Sequence, residues 1–118
     1  MAILKEFKFS SVNKFNDEID KIEFTSKGYI DDKVIYFKND GVSYKILLED
    51  TLKVMVNDSR YEFDVNKKTL AHIRTTDFSL QASVTTDKLN ISNNKIEIAY
   101  RMDFTSFVGE YNIIVEWN

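Results

Sequence analysis

His72 is the only histidine of the chain. A catalytic triad would have to use it, yet no Gly-x-Ser-x-Gly elbow supplies a nucleophile. A metal site built on it would need carboxylates at a recognised ligand spacing, and none stands there. His72 therefore reads as an ordinary strand residue. The chain has no Cys, which excludes thiolate metal sites, a cysteine nucleophile and a disulfide framework, and accords with a reducing compartment. Asp17, Glu18 and Asp20 form an acidic cluster. It lacks the spacing of a calcium loop and its later bidentate Glu, and reads as solvated loop. Asp31-Asp32 and Glu49-Asp50 read as turns. Gly28, Gly41 and Gly109 are isolated, so no glycine-rich loop can cradle a phosphate.

One strand carries charge in a pattern that chemistry can use. Lys95, Glu97, Arg101 and Asp103 alternate with Ile96, Ile98, Tyr100 and Met102. Hydrolases that work inside a barrel on triphosphates line it with such alternating charges, and begin with Glu-x-Glu-x-Lys, which is absent here. If the apolar face is the interior, these charges lie outside. Arg60, Arg74 and Arg101 are the only arginines and fall on different predicted strands. Phosphate chemistry needs several cations or a metal converging on one spot. The expectation is a protein that is not an enzyme, has no cofactor or metal, and does not hydrolyse phosphate esters. Tyr36, Phe37 and Lys38, with Tyr44 and Lys45, are the nearest approach to the aromatic-basic interleaving that binds single-stranded nucleic acid. With a net charge of -3 and a pI near 5.2, core packing explains them better, and no nucleic-acid partner is expected.

The elements that position these residues are organised around Phe78 to Phe104. Apolar residues stand at Phe78, Leu80, Ala82 and Val84, and again at Ile96, Ile98, Tyr100, Met102 and Phe104, on either side of the Asn93-Asn94 turn. Successive strand side chains point to opposite faces, so this alternation predicts one buried and one wet face. Helical spacing of three and four is missing. Residues 2–9 predict a first strand, placed at an edge. Ser10 to Asp20 is polar, with a helix-turn candidate at Asn16-Asp17-Glu18-Ile19. Ile22 and Phe24 alternate next. Val34 to Phe37 reads as a strand apolar on both faces. Asn39-Asp40-Gly41 is the strongest hairpin signal. Tyr44, Ile46 and Leu48 follow, then Leu52, Val54 and Val56, then Tyr61, Phe63 and Val65 after the Asn57-Asp58-Ser59 turn. Leu70 to Thr76 is a weaker strand. Tyr111, Ile113, Val115 and Trp117 close the chain.

About ten short strands at eight-to-twelve-residue spacing indicate an all-β sandwich or barrel. With mostly tight connections, sequential strands pair as antiparallel neighbours, and an up-and-down barrel of about 8–10 strands is the simplest arrangement. Its 118 residues fit one domain, long enough to bury roughly two-thirds of the unfolded surface. Pro is absent, so Asn, Asp and Ser must make the turns. The beginning, Met-Ala-Ile-Leu-Lys-Glu-Phe-Lys-Phe, lacks a signal-peptide apolar region. No run approaches the ~18 apolar residues of a membrane span. A cytoplasmic protein with no membrane partner is expected.

From Lys21 to Trp117 the order of elements resembles the YwiB-like family of small uncharacterised bacterial proteins. The resemblance lies in Ile22-Glu23-Phe24-Thr25 with Lys27-Gly28-Tyr29, in Val34-Ile35-Tyr36-Phe37, in the Thr-rich strand ending Val84-Thr85-Thr86, in Ile96 to Met102, and in Ile113-Ile114-Val115-Glu116-Trp117. It implies a calycin-type barrel, similar in shape to the lipocalins, and brings no activity with it. Two functions suit such a barrel. One is binding of a small apolar ligand, lined by Leu80, Ala82, Ile98, Tyr100, Met102, Ile113 and Val115. The size of these inward residues instead favours a filled core. The other is a protein-interaction module with that filled core, acting through an edge strand or an apolar patch, as a monomer or homodimer. An internal void of a few hundred Å³ separates the two readings.

Overall fold

The computed structural model describes residues 1–104 and 107–118. Its strands are β1 (Ile3–Phe15), β2 (Glu18–Asp31), β3 (Val34–Asn39), β4 (Val42–Leu48), β5 (Leu52–Val56), β6 (Ser59–Phe63), β7 (Thr69–Arg74), β8 (Ser79–Ile91), β9 (Lys95–Asp103) and β10 (Val108–Trp117). Each pairs antiparallel with its sequence neighbours, and β10 returns to β1, so the sheet is a closed up-and-down barrel. The described residues contain no helix, hence none long and apolar enough to cross a membrane.

The turns show how a chain without Pro makes hairpins. Asn16, Asp32, Asp40 and Asn57 have φ of 48° to 53°, and Gly41 has φ of 80°. Asn and Asp tolerate this left-handed region because their short polar side chains bond locally. Positive φ at both Asp40 and Gly41 matches the right-handed twist of the strands they join. The helix-turn expected at Asn16-Asp17-Glu18-Ile19 is not there. β1 runs on to Phe15, Asn16 and Asp17 turn, and β2 starts at Glu18. β1 is not an edge either, being paired on both sides by β2 and β10.

Inward residues alternate as the period of two requires. Ile96, Ile98, Tyr100 and Met102 of β9 are buried, as are Tyr111, Val115 and Trp117 of β10. Tyr36 faces outward between buried Ile35 and Phe37, so β3 is apolar inside only by alternation. Phe78 lies before β8 rather than on its inward face, and is 52% exposed. Val65 lies beyond β6 and is exposed for the same reason. The end of the barrel that carries both termini is plugged by Phe7, Phe37 and Trp117. Phe7 stacks on Phe37 at 5.3 Å and meets Trp117 at 5.8 Å between ring centres. We call this end the lower one.

β8 changes phase part-way. A bulge between Thr86 and Lys88 leaves Asp87 outside the ladder, so Val84 and Thr86 face inward before it and Leu89 after it. Asp87 is held by Arg101 on β9, whose Nε and Nη2 each donate at 2.9 Å to one carboxylate oxygen.

Two other seams are irregular. β6 and β7 share a backbone register only at Arg60↔His72. Side chains supplement the ladder there. The Arg74 amide donates to Ser59 Oγ at 3.0 Å, and the Thr69 hydroxyl donates to the Glu62 carbonyl. At the other irregular seam, β2 pairs with β1 along its whole length but with β3 only from Gly28 to Asp31. Glu18 to Lys27 therefore has a strand on one side only. Gly28 marks the fork. A Cβ there would sit 2.6 Å from Phe37 Cβ and collide with the Tyr36 carbonyl oxygen. That obstacle is backbone and cannot swing aside. Gly28→Ala should cost about 1–3 kcal/mol, the range for overpacking a filled site, read as a lowered urea midpoint with unchanged slope. An unchanged midpoint would show that β3 can retreat at no cost.

Candidate functional site

The interior is not filled throughout. Above the Phe7–Phe37–Trp117 plug, a cavity of about 210 Å³ runs toward the upper end of the barrel. Its walls come from every strand except β7 and β8. Phe9, Ser11 and Asn13 of β1 face Ile46, Val54, Tyr61 and Phe63, with Ile98, Tyr100, Met102, Ile113 and Val115 closing the circle. Ile22 of β2 lines it too and is 48% exposed. A residue that touches the cavity yet stays half in solvent marks a mouth, and this mouth lies along the unpaired half of β2. Phe9, Phe24 and Tyr44 stand beside it as an aromatic cluster, with ring centres 4.9 Å apart for Phe9–Phe24 and 5.2 Å for Phe9–Tyr44. The splaying of β2 from β3 is thus the physical reason a core of large side chains still leaves a void.

Of the residues expected to line a ligand site, Ile98, Tyr100, Met102, Ile113 and Val115 come together on the cavity wall. Leu80 and Ala82 do not. Ala82 is buried opposite Ala71, and Leu80 is half-buried opposite Ile73, on the β7–β8 side of the barrel. Both keep the inward face that alternation assigns, but they stand on the two strands that the cavity does not reach. Phe9, Tyr44, Tyr61 and Phe63 are the wall residues that strand alternation marks as inward without marking their height along the barrel axis.

The wall is apolar and carries no charged side chain. Its polar groups are few. Ser11 Oγ donates to Asn13 Oδ1 at 3.0 Å. Tyr111 Oη on the wall and, outside it, Thr86 Oγ1 are buried hydroxyls without a hydrogen-bond partner among the described residues. Tyr111 stacks on Tyr100 at 4.9 Å and its ring lies over Gly109, where a Cβ would strike it. Desolvation raises the Tyr100 and Tyr111 hydroxyls far above the ordinary phenol range, with Tyr61 adding to both. Burial also raises Tyr44 and Tyr61. These phenols therefore stay protonated at physiological pH and can donate a hydrogen bond.

The alternating charges of β9 lie outside the barrel. Glu97 accepts from Lys88 at 2.9 Å and pairs with Lys95 at 3.0 Å, and hydrogen bonds from both hold its carboxyl below the usual range. His72 faces outward on β7 with Gln81 Nε2 at 3.3 Å from its Nδ1. Arg60, Arg74 and Arg101 are spread over the outer faces of β6, β7 and β9. Asp17, Glu18 and Asp20 are exposed at the tip of the β1–β2 hairpin. Among the described residues no group of His, Asp and Glu converges in a way that could hold a metal ion.

The structure is similar to that of the YwiB protein from Bacillus subtilis, with a TM-score of 0.65 and 16% sequence identity over 99% of this chain and 93% of that one. That likeness shows a shared barrel fold over nearly the whole of both chains, in agreement with the resemblance carried by the strand order. The C-terminal domain of HtaA from Corynebacterium glutamicum aligns over 98% of this chain and 100% of that one, with a TM-score of 0.36 and 9% identity. No family model and no curated protein matches the chain.

Proposed function

We propose that the barrel binds a small, uncharged, largely apolar molecule in its interior, and that it acts by binding rather than by catalysis. The observation that carries this reading is the apolar cavity of about 210 Å³ with half-exposed Ile22 at its mouth. An engineered apolar cavity of about 150 Å³ stays dry and takes up benzene, whereas drug-sized ligands use ~300–1,000 Å³. The ligand is therefore of monocyclic size or a short alkyl chain. A wall without charge disfavours a carboxylate or an amine, since an ion buried there would have no counter-charge. The unpaired Tyr111 hydroxyl offers a donor to one neutral acceptor, such as a carbonyl or ether oxygen. The wall residues offer neither a base nor a nucleophile in contact with one, which is why the reading is a binding protein.

Native mass spectrometry of protein purified from cells tests it. A fraction of the wild-type protein is expected to carry a small adduct. Val54→Trp projects an indole into the cavity, so that variant should remain folded and lose the adduct. An adduct-free wild type whose melting temperature is unmoved by saturating indole, toluene or a short-chain ketone would reduce the cavity to a packing gap.

A further inference from the structure

The unpaired half of β2 has a property apart from its place beside the cavity. Asp31↔Val34 closes the two-residue turn between β2 and β3, and Phe15↔Glu18 closes the one between β1 and β2. The pair that flanks a two-residue hairpin turn exchanges backbone hydrogen bonds, and such pairs recur at every second residue. Even-numbered residues of β2 therefore bond to β1. Odd-numbered residues, Ile19, Lys21, Glu23, Thr25 and Lys27, turn their N–H and C=O groups outward. Below the fork those groups meet β3. Above it, the Ser26 hydroxyl still bonds the Lys27 carbonyl and the Lys38 carbonyl of β3, and from Ile19 to Thr25 no strand among the described residues meets them. A row of free backbone groups is a template for another strand.

We propose that this edge pairs antiparallel with the same edge of a second copy of the chain, in the register that places Ile22 opposite Ile22 on the two-fold axis. The charges select the occupant and the register. A two-fold antiparallel ladder must set outward-bonding residues opposite one another. Near the middle of the free stretch, only three registers do so. Centring on residue 21 sets Lys21 against Lys21. Centring on residue 23 sets Glu23 against Glu23. Centring on residue 22 sets Lys21 against Glu23 of the second copy, twice by symmetry, with Ile19 opposite Thr25. Lys27 then approaches Asp17 and Glu18 at the exposed hairpin tip of the second copy. Opposite charges directly across a ladder stabilise it and like charges destabilise it. Ile19 and Ile22, both about half exposed in one copy, become covered. The inference stands whether or not the cavity holds a ligand.

Charge exchange at the axis tests it by sedimentation velocity over a range of protein concentrations. The wild type should populate dimer at about 100 µM. Lys21→Glu and Glu23→Lys, each alone, set like charges opposite one another twice and should weaken dimerisation about tenfold or more, since each reverses two symmetry-related pairs. The double variant Lys21→Glu/Glu23→Lys restores both pairs with signs exchanged and should recover the wild-type association. Thr25→Pro removes an outward N–H without touching the β1 ladder, and should be monomeric with its cooperative melt retained. A wild type that is monomeric at 100 µM, single variants that associate like the wild type, or a double variant no better than either single one would overturn the proposal.

Discussion

Removal of Glu110–Asn118 is expected to leave a chain with no cooperative thermal transition. β10 contributes buried Tyr111, Val115 and Trp117 to the core, and Trp117 is part of the lower plug with Phe7. It is also the strand that closes the sheet, paired from Phe7↔Trp117 to Lys14↔Glu110 on one side and from Val108↔Asp103 to Glu116↔Lys95 on the other. Its loss costs two ladders at once and exposes the edges of β1 and β9 along most of their length. Full burial of one large apolar side chain is worth roughly 1.5–3 kcal/mol, and total stability is about 5–15 kcal/mol. Three such residues and two ladders exceed what a domain of this size holds in reserve. Circular dichroism during heating reads the result. A truncated protein that sediments as a monomer and melts cooperatively would show that nine strands suffice.

Ile98→Asp should be the most damaging of the single changes considered. Ile98 is 2% exposed and lies between Leu89 of β8 and Ile113 of β10. An aspartate there loses its hydration with no cation on the wall to replace it, and forfeits the packing of a large aliphatic chain. The expected loss is about 4–5 kcal/mol, at the far end of single-substitution effects. At a slope of ~1–2 kcal/mol per M, this moves the urea midpoint by about 2 M or more. Glu97→Lys, one residue earlier and on the outer face, removes ion pairs to Lys88 and Lys95 and adds a like charge. Solvent screens that change, and its midpoint should stay close to that of the wild type. Equal shifts for the two variants would invert the assignment of faces on β9.

The contrast between these neighbours shows which part of the structure was legible in the sequence. On β9 the inward Ile96, Ile98, Tyr100 and Met102 alternate with Lys95, Glu97, Arg101 and Asp103, and on β10 Tyr111, Ile113, Val115 and Trp117 alternate with Glu110, Asn112 and Glu116, so the faces follow from alternation even with Ala99 and Ile114 on the outside. The Asp40-Gly41 turn was legible because its residue types suit positive φ. β1 beyond Ser10 was not legible, for a reason that belongs to the site. Ser11 and Asn13 face inward onto the cavity, so the inward face there is polar and the strand loses its period-two signature. The same holds for β2, whose Ile22 faces in while Asp20 and Glu18 of the same parity lie exposed at the tip. Ser10 to Asp20 therefore reads as a polar stretch with a helix-turn, and the alternation becomes visible only from Ile22 and Phe24 onward. Leu80 and Ala82 failed as wall residues because alternation reports the side of a sheet and not the height along a barrel. Strand pairing was legible only as a default between neighbours. Nothing local in Glu18 to Lys27 announces that β3 is too short to accompany it.

The closing seam also has a consequence in time. Every ladder except β1–β10 joins strands adjacent in the chain, and hairpins of that kind form within about 1–10 µs. The β1–β10 ladder instead brings together Phe7 and Trp117, from opposite ends of the chain, and the entropic cost of joining two ends grows with the length of chain between them. The early chain is thus a curling ribbon of hairpins with two bare edges. Ring closure is the slow step that converts it, as long-range pairing slows β proteins in general. Until that step the ribbon exposes the hydrogen-bonding edges of β1 and β10. Bare strand edges pair readily with other chains, so the interval before closure is the one in which the chain is open to aggregation.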